Sequence, residues 1–422
     1  MRILFLTHYF PPEVNAPASR TYENAKRWVQ AGHDVTVITC APNHPNGVVY
    51  PGFRNRCWQW EEMDCLKVLR VKTCLSPNKE TVRRIMNYLS YLVAATLLSP
   101  LTGKADVVVS TSPQFFCGLA GAGVSRLKGA PWVLEIRDLW PESIAAVEAI
   151  SNPRIIGALS KVETWMYRNS QRIVSVTDSF VPHFVKRGIP RDRVSVIKNG
   201  ADITRFSPAG RENRFRLDHG LQGKFVASYV GTHGMAHGLD TIFIAAQRLK
   251  EDDRIRFLLV GDGAEREDLI RKKDHLHLGN VIMLPQMPKE MMPEILAASD
   301  ASLVLLRKAE LFKAVIPSKI FEAMAMERPI VLGVEGESKR IIEKGRCGLC
   351  IEPENPEALA EAILRLADDQ CLVEELGQNG RKYVSEFFNR DILAANYLAV
   401  LAATANSHRS LPRAGHPRQH YP

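Results

Sequence analysis

Phe225-Val-Ala-Ser-Tyr-Val-Gly-Thr-His-Gly234 is a short apolar run that ends in a glycine-bearing turn, and helical sequence follows from Thr241 to Lys250. A run without polar alternation reads as a strand covered on both faces, the signature of a parallel sheet flanked by helices. The same unit recurs downstream at Ile255–Val260, Val281–Leu284, Ala301–Leu306 and Pro329–Leu332. Upstream it recurs at Arg2–Thr7, Asp34–Thr39, Asp106–Ser110, Trp132–Ile136, Arg172–Thr177 and Arg193–Ile197, with Ser19–Ala31 as an amphipathic helix stopped by Gly32. Two successive arrays of about 190 residues predict an α/β protein of two doubly wound, Rossmann-like domains facing each other across a cleft. The boundaries read as 1–200 and 201–373, then 374–404 as a terminal helical pair and 405–422 as a disordered tail rich in Pro, His and Arg. Asn199-Gly-Ala-Asp202, with Phe206 and Pro208, is a hinge or a plain linker turn.

Composition bounds the function. Of 422 residues, 45% are hydrophobic and 24% charged, as in a soluble globular protein. Residues 1–200 carry 25 Lys+Arg against 15 Asp+Glu, a net of +10, while the rest carry 30 against 31, a net of −1. The basic excess of the first half points to an anionic partner there. Met1–Leu6 leads to His8 and Pro11-Pro12 without a cleavage pattern, so it does not read as a secretory signal. Eight unevenly spaced cysteines are no disulfide framework and fit a reducing cytoplasm. Tyr88–Leu101 is apolar apart from Ser and Thr and follows Lys79, Arg83 and Arg84. Too short to span a bilayer, it is either a buried helix or a segment lying in the membrane interface with its arginines on lipid phosphates.

Several motifs of the second array suit a nucleotide. Glycines in Gly231-Thr232-His233-Gly234 and Gly261-Asp262-Gly263 let backbone N–H groups approach a phosphate, although simple turn chemistry would use them too. In Ile316-Pro-Ser-Lys-Ile-Phe-Glu-Ala-Met-Ala325, Pro317 and Ser318 suit a helix start, and Lys319 and Glu322 share a face. A cation beside a diphosphate and a carboxylate accepting from ribose hydroxyls need that arrangement; a surface ion pair is the bland alternative. Cys347 and Cys350 lack a second metal-ligand pair and read as packing cysteines. The chain has no Asp-x-Asp, no Gly-x-Gly-x-x-Gly and no P-loop, which argues against a metal–diphosphate clamp, NAD and ATPase chemistry. Its aromatics are not interleaved with basic residues as nucleic-acid binding requires.

Taken together and in order, these motifs resemble the retaining family 4 glycosyltransferases of the GT-B fold, over essentially the whole chain to about Ala403. Thr7-His-Tyr-Phe-Pro-Pro-Glu13, Ala31-Gly-His-Asp-Val-Thr-Val37 and Arg137-Asp-Leu-Trp-Pro-Glu-Ser143 look like the branch that builds O-antigen and capsule polysaccharide, including its N-acetyl-aminosugar transferases. The resemblance implies a second domain that binds a nucleotide diphosphate sugar, such as a UDP-sugar, and a first domain that binds the acceptor. It also implies a C-terminal helix that crosses back to the first domain. By resemblance the donor site takes in Gly231, Thr232, His233, Gly234, Gly261, Asp262, Gly263, Gln286, Pro317, Ser318, Lys319 and Glu322, with Glu322 on the ribose and Lys319 on the diphosphate. The first glutamate of the family's E-x7-E pattern is Ala314 here, and Glu310 is out of register. His233 and His237 stand where relatives carry Arg and Lys. On the acceptor side the candidates are Asn15, Ser19, Arg20, Arg137 and Asp138, with Asp138 on the acceptor hydroxyl and Arg137 on a phosphate or in a loop-tying pair.

The implied activity is transfer of an N-acetyl-aminosugar or related hexose, with retention, to a polyprenyl-diphosphate-linked saccharide. No metal or other cofactor is expected. The implied location is the inner face of the cytoplasmic membrane. A nucleotide-sugar epimerase or hydrolase of the same fold, and an inactive membrane-bound assembly partner, are the alternatives.

Overall fold

The computed structural model describes residues 1–44, 46–75, 81–112, 114–140 and 152–410. Lys79, Pro141 to Ser143 of the Arg137–Ser143 motif, and positions 411–422 of the expected tail lie outside them. The described chain forms two compact units, Met1–Ile197 with Ala394 onward, and Lys198–Leu393.

In the first unit, β1 (Arg2–Leu6), β2 (Asp34–Cys40), β5 (Val107–Thr111), β6 (Trp132–Ile136), β7 (Arg172–Ser175) and β8 (Val194–Val196) are the strands read from sequence. Two more, β3 (Trp58–Met63) and β4 (Leu66–Val71), form an antiparallel hairpin that the sequence reading missed. Its turn is Asp64-Cys65, both with left-handed φ (50° and 63°), instead of the Asn-Gly or Asp-Gly pair that marks such turns in sequence. The sheet order is β3-β4-β2-β1-β5-β6-β7-β8, and every pairing except β3–β4 is parallel. Helix α1 (Ala16–Gln30) is capped by Asn15, whose Oδ1 accepts from Ala18 N at 2.9 Å.

Helix α2 is Thr81–Leu98, longer than the 88–101 segment singled out in the sequence. With the short turn after it, Arg83–Thr102 is long and apolar enough to cross a membrane by length and composition. One face is nonetheless committed: Asn87, Tyr91, Ala95 and Ser99 are buried at four-residue spacing, with Tyr91 and Ala95 packed against Leu4, Leu6 and Ile38. The opposite stripe, Ile85, Leu89, Val93, Leu97 and Leu101, is exposed, Leu97 at 71%.

The last helix, Arg390–Ser410, joins the first unit from Ala394. Trp28 on α1 donates from Nε1 to Ala394 O (3.0 Å) and meets Tyr397 edge-on at 5.2 Å. Residues 405–410 were expected in the tail but continue this helix, because Thr404 and Ala405 are buried and Arg409 pairs with Asp106 at 2.7 Å.

The second unit holds β9 (Phe225–Val230), β10 (Ile255–Val260), β11 (Val281–Leu284), β12 (Ala301–Leu305), β13 (Ile330–Gly333) and β14 (Gly348–Cys350). All are parallel, in the order β11-β10-β9-β12-β13-β14. The order reverses between β9 and β12, which opens a crevice at the carboxyl ends of those two strands. Asp300 ties the amino ends of these two strands together. Its Oδ2 accepts from Val226 N (2.8 Å) on β9 and from Arg216 Nη2, and its Oδ1 accepts from Arg211 Nη1 (2.9 Å). Arg216 is 2% and Asp300 4% exposed. The hinge motif is rigidly seated in this unit: Ala201 N donates to Phe388 O and Arg390 N to Ala201 O, each at 3.0 Å.

Removing one charge of a buried pair leaves the other unpaired, at a cost of about 3–5 kcal/mol. Asp300→Asn is therefore expected to lower unfolding stability by about 3 kcal/mol or more, read as a shift in the urea midpoint at unchanged slope.

Candidate functional site

The crevice between β9 and β12 is floored by two glycine turns that touch backbone to backbone. A Cβ on Gly261 would lie 1.8 Å from Gly231 O, and Gly261 has φ 156°. No side chain fits there, so both turns keep bare backbone facing the crevice. His233 N donates to Asp262 O (2.8 Å) and Glu265 N to His233 O (3.0 Å), which lock one turn to the other.

Lys319, the first residue of the helix Lys319–Ala325, reaches back to this floor. Its Nζ would lie 2.9 Å from a Cβ on Gly231 and stands 3.7 Å from the ring centroid of Tyr229. Nζ is buried and has no hydrogen-bond partner among the described residues, so the surface ion-pair reading of Lys319 and Glu322 does not hold. Burial drops the ammonium to about 7, with Glu322 opposing the shift. The aromatic face compensates only part of the lost hydration.

Two histidines complete the floor. His233 is fully buried with both ring nitrogens unpartnered, and His237 has an unpartnered Nδ1. Burial pushes each down to about 4, with Arg266 and Lys319 adding to the shift at His233 and Lys319 at His237. Both are neutral at physiological pH, so they can donate or accept without adding charge. Arg266 begins the helix Arg266–His275, and its Nε is also buried and unpartnered. Several polar groups without partners around one crevice are a site prepared for a polar anionic ligand. Glu322 is half-buried, and burial raises its carboxyl against the pull of Arg390, Lys289, Arg205 and Lys319.

The structure thus brings Gly231, His233, Gly261, Gly263 and Lys319 together. Thr232, Asp262 and Gln286 are exposed at the ends of β9, β10 and β11, and Pro317 and Ser318 precede the helix that Lys319 opens. Tyr229 and Arg266 were not singled out as site residues, although the first precedes the Gly231 turn and the second lies three residues after Gly263. Ala314 closes a short turn, and Glu310 is exposed and pairs with Lys313 at 2.6 Å.

In the first unit the acceptor candidates divide. Asn15 caps α1 through Oδ1 while its Nδ2 is buried with no hydrogen-bond partner among the described residues, and Ser19 is half-buried within that helix. Arg20 is turned inward, with Nε 2.7 Å from Glu135 Oε1 and Nη2 2.8 Å from Ile197 O; its guanidinium is structural. Arg137 and Asp138 follow β6 at the carboxyl edge. Arg137 N donates to Ser112 Oγ (2.7 Å), while its Nε and Nη1 are buried without acceptors among the described residues. Burial and then Arg20 hold this guanidinium down at about 10, against Glu135 and Tyr397.

The contact between the glycine turns gives a direct test. Gly261→Ala must separate them and is expected to cost about 1–3 kcal/mol by thermal melting, with loss of any ligand bound on the floor.

Comparison with known proteins bears on the family and the fold. Residues 212–383 match the family described as glycosyl transferases group 1, and residues 15–200 match a glycosyl transferase 4-like domain. WcaI of Escherichia coli (strain K12), assigned as a colanic acid biosynthesis glycosyl transferase, is 25% identical over 376 residues, 86% of this chain and 91% of WcaI. A GDP-mannose-dependent alpha-mannosyltransferase of Mycolicibacterium smegmatis (strain ATCC 700084 / mc(2)155) is 24% identical, covering 87% and 88% of the two chains. Among solved structures, Anabaena HepE in complex with UDP and glucose superposes with a TM-score of 0.73 at 18% identity, over 96% of this chain and 100% of HepE. WaaG, a glycosyltransferase involved in lipopolysaccharide biosynthesis, gives 0.67 at 16% identity, over 94% and 99%. With both halves of the chain matched and the fold shared, the protein belongs to the family 4 glycosyltransferases of the GT-B fold.

Proposed function

We propose that this transferase moves a hexosyl group, of the N-acetyl-aminosugar class or close to it, from a nucleoside diphosphate sugar to a hydroxyl of a lipid-linked saccharide in surface polysaccharide synthesis. The observation that carries the donor side is the Lys319 ammonium, buried without an acceptor against bare glycine backbone. A diphosphate supplies the acceptors that Lys319 and Arg266 lack, and Glu322 accepts from the ribose hydroxyls. The match to colanic acid WcaI supports a polysaccharide product, and the UDP complex of HepE supports a UDP donor.

In the transfer, the bond from the anomeric carbon to the diphosphate oxygen breaks and a bond to the acceptor oxygen forms on the same face. The acceptor proton passes to the departing phosphate oxygen, and configuration is retained. The one additional negative charge that develops on the leaving diphosphate before it takes the acceptor proton is met by Lys319 in a low-dielectric pocket, where a fixed charge acts most strongly. Asp138 orients the acceptor hydroxyl, and Arg137, with two unpartnered guanidinium nitrogens, meets an acceptor phosphate. Lipid-bound acceptors place the enzyme on the inner face of the cytoplasmic membrane, and the exposed apolar stripe of α2 is the surface that lies on it.

A thermal-shift screen against UDP, GDP and TDP tests the donor site: one diphosphate should raise the melting temperature selectively, and Glu322→Ala should abolish the shift. No shift with any of them would overturn the reading. Lys319→Met is expected to cut kcat by about 10²–10³ with the fold intact, and normal turnover would exclude Lys319 from leaving-group stabilisation. Because Lys319 titrates near 7 when the site is empty and is held charged by a diphosphate, binding should take up a proton above that pH. Affinity then falls as pH rises past about 7. Calorimetry at pH of about 8 in buffers of different ionisation enthalpy should show this uptake in the wild type and not in Lys319→Met.

A further inference from the structure

Arg2 opens β1, Asp106 precedes β5 and Pro131 precedes β6, so all three stand at the amino edge of the first unit's sheet. His8, Ser112 and Arg137 follow the same strands at the opposite, carboxyl edge. A cavity of about 800 Å³ lies at the amino edge, lined by Arg2, Lys104, Asp106, Lys128, His408 and Arg409 among others. A second, of about 490 Å³, shares Arg2 and Lys104 and is lined also by Lys67 and Leu101.

The balance of charge in the larger cavity is four fixed cations to one carboxylate. Asp106 is saturated, with Oδ1 2.9 Å from Arg2 and 2.7 Å from Arg409, so it orients two guanidinium groups without neutralising the rest. Lys128 donates to Gly103 O, a neutral carbonyl, and burial holds its ammonium below the usual lysine range. A partly dehydrated cation beside Lys104 and two fixed guanidiniums is matched by a tetrahedral oxyanion with several acceptor oxygens.

We propose that this amino-edge cavity binds a phosphate group, and that the phosphate belongs to the headgroup of an anionic membrane lipid. The lipid source follows from α2. Its exposed stripe runs about 24 Å from Ile85 to Leu101, at 1.5 Å per residue. It starts beside Arg83 and Arg84 and ends at Leu101, in the wall of the smaller cavity that shares Arg2 and Lys104. An apolar stripe with cations at both ends matches the acyl and phosphate layers of a bilayer surface. The site rests on the membrane reading of α2 for its source of phosphate, and lies at the sheet edge opposite Arg137 and Asp138.

Sedimentation of the full chain with phosphatidylcholine vesicles, with and without phosphatidylglycerol, tests both parts. Lys104→Ala/Lys128→Ala is expected to weaken binding to the anionic vesicles about thirtyfold while leaving binding to neutral vesicles and the nucleotide thermal shift unchanged. Leu89→Ser/Val93→Ser should weaken binding to both. Equal binding of anionic vesicles by the lysine variant and the wild type overturns the site. If the wild type binds no vesicle, the membrane reading fails separately. A rise in melting temperature with inorganic phosphate, absent in the lysine variant, would then keep the phosphate site and overturn its lipid source; no such rise overturns both.

Discussion

A parallel sheet buried on both faces leaves polar chemistry only at its ends. In β9 the residues Val226, Ala227 and Tyr229 are fully buried, and in β1 so are Phe5 and Leu6. Neither strand can spare a side chain for a substrate along its length. The functional groups therefore gather in the turns after the strands, and the point where the strand order reverses leaves room for a ligand. In the second unit that reversal lies between β9 and β12, whose amino ends are joined by one buried carboxylate, Asp300, bonded to the backbone of β9 and to two arginines.

The electrostatics of the floor follow from its packing. Glycine backbone on one side and the Tyr229 ring on the other strip water from Lys319 without replacing its hydrogen bonds. Neighbouring histidines stay neutral for the same reason, since a second or third charge in so dry a place would go unpaid. On the proposed reading, a donor diphosphate relieves this cost by giving Lys319 an acceptor. Preorganisation of this kind puts the stabilising charge in position before the leaving group develops its own.

Much of this was legible in the residues. Apolar runs without alternation gave the two parallel sheets, and Gly231, Gly261 and Lys319 could be named from turn chemistry and helix spacing. The β3–β4 hairpin was not legible, because its turn uses Asp64-Cys65 and its register is set by burial of Arg70, which reaches Cys40 O and Pro11 O. The roles of Arg20 and Arg137 were not separable either. Both are arginines near a loop, and only folding turns one to Glu135 and leaves the other with two nitrogens unpartnered.

The sequence by itself determined the alternation of strands and helices, the glycines and the placement of Lys319 and Glu322 on one helix, because these depend on periods of a few residues and on local backbone conformation. Tertiary structure decided which cations are committed and which are free to meet a ligand. It set Tyr229 against Lys319 and Arg266 near His233, gave α2 one buried and one exposed face, and collected Arg2, Lys104, Lys128 and Arg409 at one edge. The physical reason is that hydration and charge pairing are properties of neighbours in space, and residues as far apart as Arg2 and Arg409 become neighbours only when the chain folds.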